Sequence, residues 1–296
     1  MHIEPINSQK TLNMRKIFMM LLKVSRPPLW LALPLVFCLG LAYGQRGLTF
    51  PGFHFTSLMI LQMLMLSFPV CLFTFGLNDI SDYKSDKINP RKRGMEGMLL
   101  PDKYHRLVMI SALLAALVFF LIAICTANLI NIFYAVTIVV LSYVYSAPPW
   151  RLKTRPPLDA ISGGVIGFLA PFAMGYSFVD DATALPFHAY CFTLCVMGLH
   201  AFSTIMDYDV DKLSGDKTFA VAFGKRAAAL SPTIVFFITL FFIHVTYVKI
   251  FFVLCIFLFI IILFVPSERM ARYAFLSIFM GAIIIVSIWI GKLMFH

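Results

Sequence analysis

The sequence predicts an all-α, polytopic membrane protein with nine transmembrane helices around a central cavity. Three observations lead there. The chain is 60% hydrophobic and only 13% charged, with a mean hydropathy of +0.89, too apolar for an ordinary soluble domain. Nine apolar stretches, about 27–44, 57–77, 106–126, 129–146, 159–179, 187–206, 229–248, 250–266 and 272–291, are each long enough to approach or cross a hydrocarbon core of roughly 30 Å. If all nine cross, 21 of the 24 lysines and arginines fall on one face of the membrane.

Each element has a local reason. Residues 1–16 are polar for too long, and lack the small-residue cleavage site, to be a secretory signal. They read as a cytoplasmic segment leading into a single transmembrane domain over 1–296. Pro27-Pro28, Pro148-Pro149, Pro156-Pro157, Pro186 and Pro266 punctuate helix ends, where a missing N–H does least harm. The seventh and eighth spans meet at Lys249, which implies a tight turn there. The opposite face keeps only Arg46, Lys249 and Lys292, together with Asp180-Asp181, so the amino terminus is expected in the cytoplasm and the carboxyl terminus on the far side. The net charge of +10 is thereby explained by the bilayer and calls for no nucleic acid. Cys38, Cys71, Cys125, Cys191, Cys195 and Cys255 all lie in apolar segments without a C-x-x-C pair, and read as reduced packing residues.

The chemistry concentrates in two loops. In GLNDISDYKSDKINPRKRGME, Gly76 to Glu96, Asp79, Asp82 and Asp86 are spaced i, i+3, i+7, and Asn78 and Asp82 i, i+4, so a helical continuation puts them on roughly one face. Like charges so gathered need cations, and a hard divalent ion with oxygen ligands, Mg²⁺ shared with a substrate phosphate, meets that need. Asp207-Tyr208-x-x-Asp211-Lys212-Leu213 repeats Asp82-Tyr83-x-x-Asp86-Lys87-Ile88 after 125 residues. Nine of the 14 carboxylates lie in or just after these two stretches (Asp79, Asp82, Asp86, Glu96 and Asp102; Asp207, Asp209, Asp211 and Asp216), which argues against solvated loops with helix-capping aspartates and for one diphosphate held between metal ions. Both loops, and the basic loop Ala147 to Leu158, are expected on the cytoplasmic side, so helices 1–4 and 5–8 read as two related halves, followed by a ninth helix.

N-D-x-x-D-x-x-x-D at Asn78 to Asp86, D-x-x-x-D at Asp207 to Asp211, Ser25-Arg26-Pro27 with Trp30, and YSAPPWRLKTRPPLD at Tyr145 to Asp159 resemble the UbiA superfamily of intramembrane prenyltransferases. The segments Asn89 to Gly97 and His200 to Thr218 are most similar to its lycopene elongase branch, which prenylates a C40 carotenoid. This resemblance implies Mg²⁺-dependent transfer of a prenyl group, from an allylic diphosphate such as dimethylallyl diphosphate, to a lipophilic acceptor such as lycopene. It implies Asn78, Asp82, Asp86, Asp207 and Asp211 as metal ligands, with Asp79 a further candidate. It implies Lys153, Arg151, Arg155, Lys217, Arg26 and Arg91 as groups for the diphosphate, although topology alone would place basic residues in these loops, Lys92 and Arg93 included. Tyr145 is expected to face the allyl cation, with Tyr143, Phe73 and Phe75 at similar depth. His200, a titratable group in an apolar span, is either a hydrogen-bonded structural residue or the base that takes the terminal proton. Gly163, Gly164 and Gly167 allow close helix packing or room for an isoprenoid. Two departures stand out: Thr204 where many members have a further aspartate, and Thr74 where some have an arginine. The rival readings are an aromatic or quinone-precursor prenyltransferase of the same superfamily and, from another class, a membrane transporter built on repeats.

Overall fold

The computed structural model describes residues 14–44, 55–89, 92, 98–179 and 184–295, and among these it contains helices and no strand. An amphipathic helix, α1 (Met14–Val24), comes first. It buries Met20 and Val24 against the protein and leaves Met14, Phe18 and Met19 exposed. The apolar stretches of the sequence begin only after it, so hydropathy alone gave no sign of this helix. A turn through Arg26 leads to α2 (Ala32–Gly44); α3 (Ser57–Met65) and α4 (Phe68–Ser81) follow as one broken span, continued by the short α5 (Tyr83–Asp86). Next come α6 (His105–Cys125) and α7 (Leu129–Ser146), then α8 (Leu158–Gly164) and α9 (Ala170–Tyr176), joined by one wide π turn at Val165–Leu169. The second half continues with α10 (Phe187–Ser203), α11 (Tyr208–Ser214), α12 (Phe219–Phe223), α13 (Lys225–Leu240), α14 (Thr246–Phe264) and α15 (Glu268–Phe295).

Among the described residues, eight helical segments are long and apolar enough to cross a membrane: Pro27–Gly44, Ser57–Ser81, Asp102–Cys125, Leu129–Ser146, Leu158–Tyr176, Phe187–Ser214, Thr246–Phe264 and Glu268–Leu293. The seventh expected span, 229–248, keeps its place in the chain but has its bounds corrected. It is α13, 16 residues long with Pro232 inside it, which at 1.5 Å per residue is about 24 Å. The turn occupies residues 241–245, and Lys249, expected at the turn, lies inside α14. Phe241, Phe242 and Ile243 make the turn as apolar as the helices beside it, so hydropathy could not mark it. His188 Nε2 donates a hydrogen bond at 2.9 Å to the carbonyl of Phe242, 54 residues away.

The outward faces carry the bulk. In α6, Leu113, Leu117 and Leu121 are exposed, while Val108, Ala112, Ala116 and Ala123 are buried. In lipid, helix association rests on close packing and not on apolar burial, so small residues inside and large ones outside is the expected pattern. The tightest crossing joins α2 and α9. A Cβ built on Gly40 would lie 2.0 Å from the Phe172 carbonyl oxygen, and one on Gly175 2.0 Å from the Phe37 carbonyl oxygen, so each glycine admits the other helix's backbone. Several polar groups between the helices pair with one another. Gln62 of α3 and Asn131 of α7 hydrogen-bond reciprocally, and Asn131 Nδ2 also donates to the Met174 carbonyl at 3.2 Å. Asn128 caps α7 by accepting from the N–H groups of Ile130 and Asn131, each at 3.0 Å, and donates to the Ser177 carbonyl at the end of α9.

Candidate active site

The acidic loops are built by helices that stop. α4 ends at Asp82, whose backbone (φ −96°, ψ 5°) leaves the helical region before α5 resumes, and α10 tightens into a 3-10 turn at Thr204–Asp207 before α11. Both breaks come at the same end of the bundle. The two motifs touch directly, because Asn89 Nδ2 donates to Asp207 Oδ1 at 3.1 Å across 118 residues. The basic loop after α7 reaches the same place, with Arg151 held at a left-handed φ of 38°.

Cations from separate elements lie among the aspartates. Lys92 Nζ is 2.6 Å from Asp79 Oδ1 and 2.9 Å from Asp86 Oδ2. Lys153 pairs with Asp82, and Arg151 Nη2 lies 3.2 Å from Asp82 Oδ1 and 3.4 Å from Asp216 Oδ1. Arg26, at the turn after α1, sits 3.1 Å from Asp79 Oδ1 and lies over the Phe75 ring at 4.3 Å. Asp79, Asp82 and Asp86 are all buried, and charges so buried must be paired. Burial pushes the Asp86 carboxyl up to about 6, with Lys92 pulling against that rise and Asp79 and Asp82 adding to it.

Among the described residues no three carboxylate or imidazole side chains converge closely enough to enclose a metal ion. Ammonium and guanidinium groups stand between them instead. The donor set nevertheless fits Mg²⁺: Asn78, Asp82, Asp86, Asp207 and Asp211 offer only hard oxygens, and the positive charge now beside them is of the kind a divalent ion would supply. Among the described residues, buried Asp79 Oδ2 also has no hydrogen-bond partner.

The expected site residues divide accordingly. Arg26, Asp79, Asp82, Asp86, Arg151 and Lys153 are joined by direct contacts. Asn78 accepts a long bond from Ser146 at 3.5 Å, and Asp211 Oδ2 accepts from Thr218 Oγ1 at 2.9 Å. Arg155 is not drawn in. It donates to the carbonyl of Pro149 in its own loop. Lys217 is exposed, and Arg91 lies outside the described residues. Tyr143 is exposed, but Tyr145 OH is 3.1 Å from His200 Nε2, so a hydroxyl of the helix before the basic loop meets the imidazole in the last turn of α10. Gly163 makes this possible, since a Cβ there would lie 2.4 Å from His200 Cδ2.

Three residues were not singled out from sequence as site groups. Lys92 was indistinguishable from its basic neighbours. Asp216 was counted among the loop carboxylates without a role, and it lies 3.9 Å from Lys153 and within reach of Arg151. Buried Asp159 accepts from the Phe219 N–H at 3.0 Å and the Ala160 N–H at 2.7 Å, tying the start of α8 to the start of α12. The two departures have structural uses. Thr204 Oγ1 accepts from the Ala220 N–H at 2.9 Å, and Thr74 Oγ1 shares a hydrogen bond with Ser142 Oγ at 3.0 Å.

His200, bonded to Tyr145, also lines a cavity of about 320 Å³ between α2, α10, α14 and α15. Leu33, Val36, Phe168, Phe252, Phe279 and Trp289 are among its walls, and its lining is aliphatic and aromatic apart from His200, Ser203 and the Cys195 thiol.

Comparison with known proteins agrees with this geometry. The profile of the UbiA prenyltransferase family matches residues 31–283. The lycopene elongase/hydratase of Haloarcula japonica is 33% identical over 206 residues, 69% of this chain and 67% of its own. That of Halobacterium salinarum is 30% identical over 209 residues, 70% and 72% of the two chains. Among solved structures, a UbiA homologue from Archaeoglobus fulgidus bound to GPP and Mg²⁺ superposes with a TM-score of 0.66 at 20% identity, covering 91% of this chain and 98% of that one.

Proposed function

Because the chain belongs to the UbiA prenyltransferase family, and is a transferase and not a transporter, we propose that it moves a dimethylallyl group from its diphosphate to the end of a carotenoid such as lycopene, with Mg²⁺ as cofactor. The observation that supports this most is the junction between a cation-lined acidic cleft and an almost wholly apolar cavity. The first suits a diphosphate and the second a hydrocarbon, whereas a small aromatic acid would call for more polar groups than His200 and Ser203.

Asn78, Asp82, Asp86, Asp207 and Asp211 would hold Mg²⁺, which when bound neutralises charge on the diphosphate. Lys153, Arg151 and Arg26 exchange part of their pairing with the aspartates for pairing with phosphate oxygens. The bond between the allylic carbon and oxygen breaks, its electron pair leaves with the diphosphate, and these cations stabilise the growing negative charge. Tyr145 faces the allyl cation, and the aromatic walls keep water from it. The terminal π bond of the acceptor forms the new carbon–carbon bond and leaves a tertiary cation. His200 accepts the proton whose loss gives the alkene; capture of water instead gives the alcohol. His200 is already oriented by Tyr145.

Purified protein supplied with Mg²⁺ and dimethylallyl diphosphate is expected to prenylate lycopene and not 4-hydroxybenzoate. H200A is expected to slow product formation or change the alkene-to-alcohol ratio, with diphosphate affinity nearly unchanged. Transfer to 4-hydroxybenzoate alone would reject the acceptor and leave the family assignment standing.

The cleft is assigned to the cytoplasmic face, with the amino terminus there and the carboxyl terminus opposite, on the basic residues gathered at the cleft end. Lys292, near the chain's end, lies over the Tyr247 ring at the start of α14, which supports this orientation. A cysteine placed at Asp102 is expected to label only from the cytoplasm, and one at Asp181, outside the described residues, only from the other side. Labelling of both from one side would overturn the orientation.

A further inference from the structure

The aspartates of the first motif already have a counter-ion that belongs to the chain. Asp79 is fully buried and Asp86 nearly so, and one ammonium, Lys92 Nζ, bridges them at 2.6 Å and 2.9 Å. Lys92 is itself only 10% exposed, so this is a built contact and not a surface pair. Asp79 keeps a second cation, Arg26, but the two differ in freedom. Arg26 is held in a left-handed turn over the Phe75 ring, whereas the Lys92 ammonium ends a flexible four-carbon stem and can exchange one set of oxygens for another. Asp86, the carboxylate that the second motif repeats as Asp211, has Lys92 as its ion partner.

We propose that Lys92 is a positioning residue that occupies the first metal seat as a resident cation, so that metal loads with the diphosphate and not before it. The proposal rests on the metal-dependent reading above and adds an order of binding to it. An ammonium between Asp79 and Asp86 excludes a divalent ion by charge and by space. A diphosphate arriving in the cleft would offer phosphate oxygens to that ammonium, and Asp86 would then be free as an oxygen donor for Mg²⁺. The turn involved is also attached to the second motif. Lys92 N–H donates to the Asn89 carbonyl at 3.2 Å, and Asn89 Nδ2 to Asp207, so movement of Lys92 is felt at both acidic loops. A site open only a fraction of the time has its apparent dissociation constant raised by the inverse of that fraction. If Lys92 holds the seat about nine-tenths of the time, metal alone binds about tenfold more weakly than the bare site permits.

The test is a titration of the full-length, detergent-purified protein with Mn²⁺, bound and free ion being separated by electron paramagnetic resonance. It is run with and without inorganic pyrophosphate, against protein-free controls. K92M is expected to bind Mn²⁺ about tenfold more tightly than wild type when pyrophosphate is absent, and the difference is expected to disappear when it is present. K92R is expected to behave as wild type. Should K92M unfold because it leaves two buried carboxylates unpaired, D79N/K92M removes one of them and is expected to show the same gain. Equal Mn²⁺ affinity of wild type and the lysine-free variants without pyrophosphate, or weaker binding in the variants, would overturn the proposal. Absence of Mn²⁺ binding by every form even with pyrophosphate would instead overturn the metal-dependent reading, and the proposal with it.

Discussion

Asp82→Ala and Asp211→Ala are each expected to lower prenyl transfer by about 10²–10³-fold, the usual scale when one group stabilising transition-state charge is lost. Asp82 is the hub of the cleft, paired with Lys153 and Arg151. Its loss removes a proposed metal ligand and also releases the two cations that aim at the leaving diphosphate. Asp216 keeps both in reach, at 3.4 Å from Arg151 and 3.9 Å from Lys153, so the protein should stay folded. Asp211 Oδ2 accepts from Thr218 Oγ1 at 2.9 Å, and its removal costs that hydroxyl this partner. Turnover by purified variants, beside thermal unfolding in detergent, checks this. Near-normal turnover in either variant would sink the assignment of two metal-binding loops.

Gly40→Val or Gly175→Val is expected to abolish the folded protein, not merely its activity. Overpacking usually costs about 1–3 kcal/mol because side chains can move aside. Here the obstructing atoms are carbonyl oxygens of the opposite helix, 2.0 Å from each new Cβ, and they can yield only if α2 and α9 separate. Separation would also pull on Asn131, whose amide is bonded to Met174 of α9. Gly291→Ala, with nothing within 4 Å of its Cβ, serves as the neutral control. Monodispersity on size-exclusion chromatography reads the outcome, and a monodisperse, active G175V protein would show that the crossing is looser than its contacts imply.

Much of the fold was legible before any coordinates, for particular reasons. The fourth span was expected at 129–146 and is Leu129–Ser146, because polar Asn128 and the Ala147-Pro148 step bracket it in the sequence. The seventh was misjudged because its end is apolar and is satisfied by His188 from a distant helix. Helix α1 was missed because its pattern is amphipathic, and a search for continuous apolar length passes over it. In the cleft, the aspartates could be named from their spacing and repetition. Their partners could not, since three adjacent basic residues, Arg91, Lys92 and Arg93, look alike in a positively charged loop.

By itself the sequence determined the membrane class, the positions of most spans and the two acidic motifs, since apolar length, charge bias and repetition are all properties of a line. The tertiary structure alone decided that Lys92 bridges Asp79 and Asp86, that Asn89 joins Asp207 across 118 residues, and that Tyr145 meets His200 at the mouth of an apolar cavity. Buried charges and polar groups take whichever partner the packing brings within about 3 Å, and which segments approach so closely is set by helix crossings such as Gly40 on Gly175.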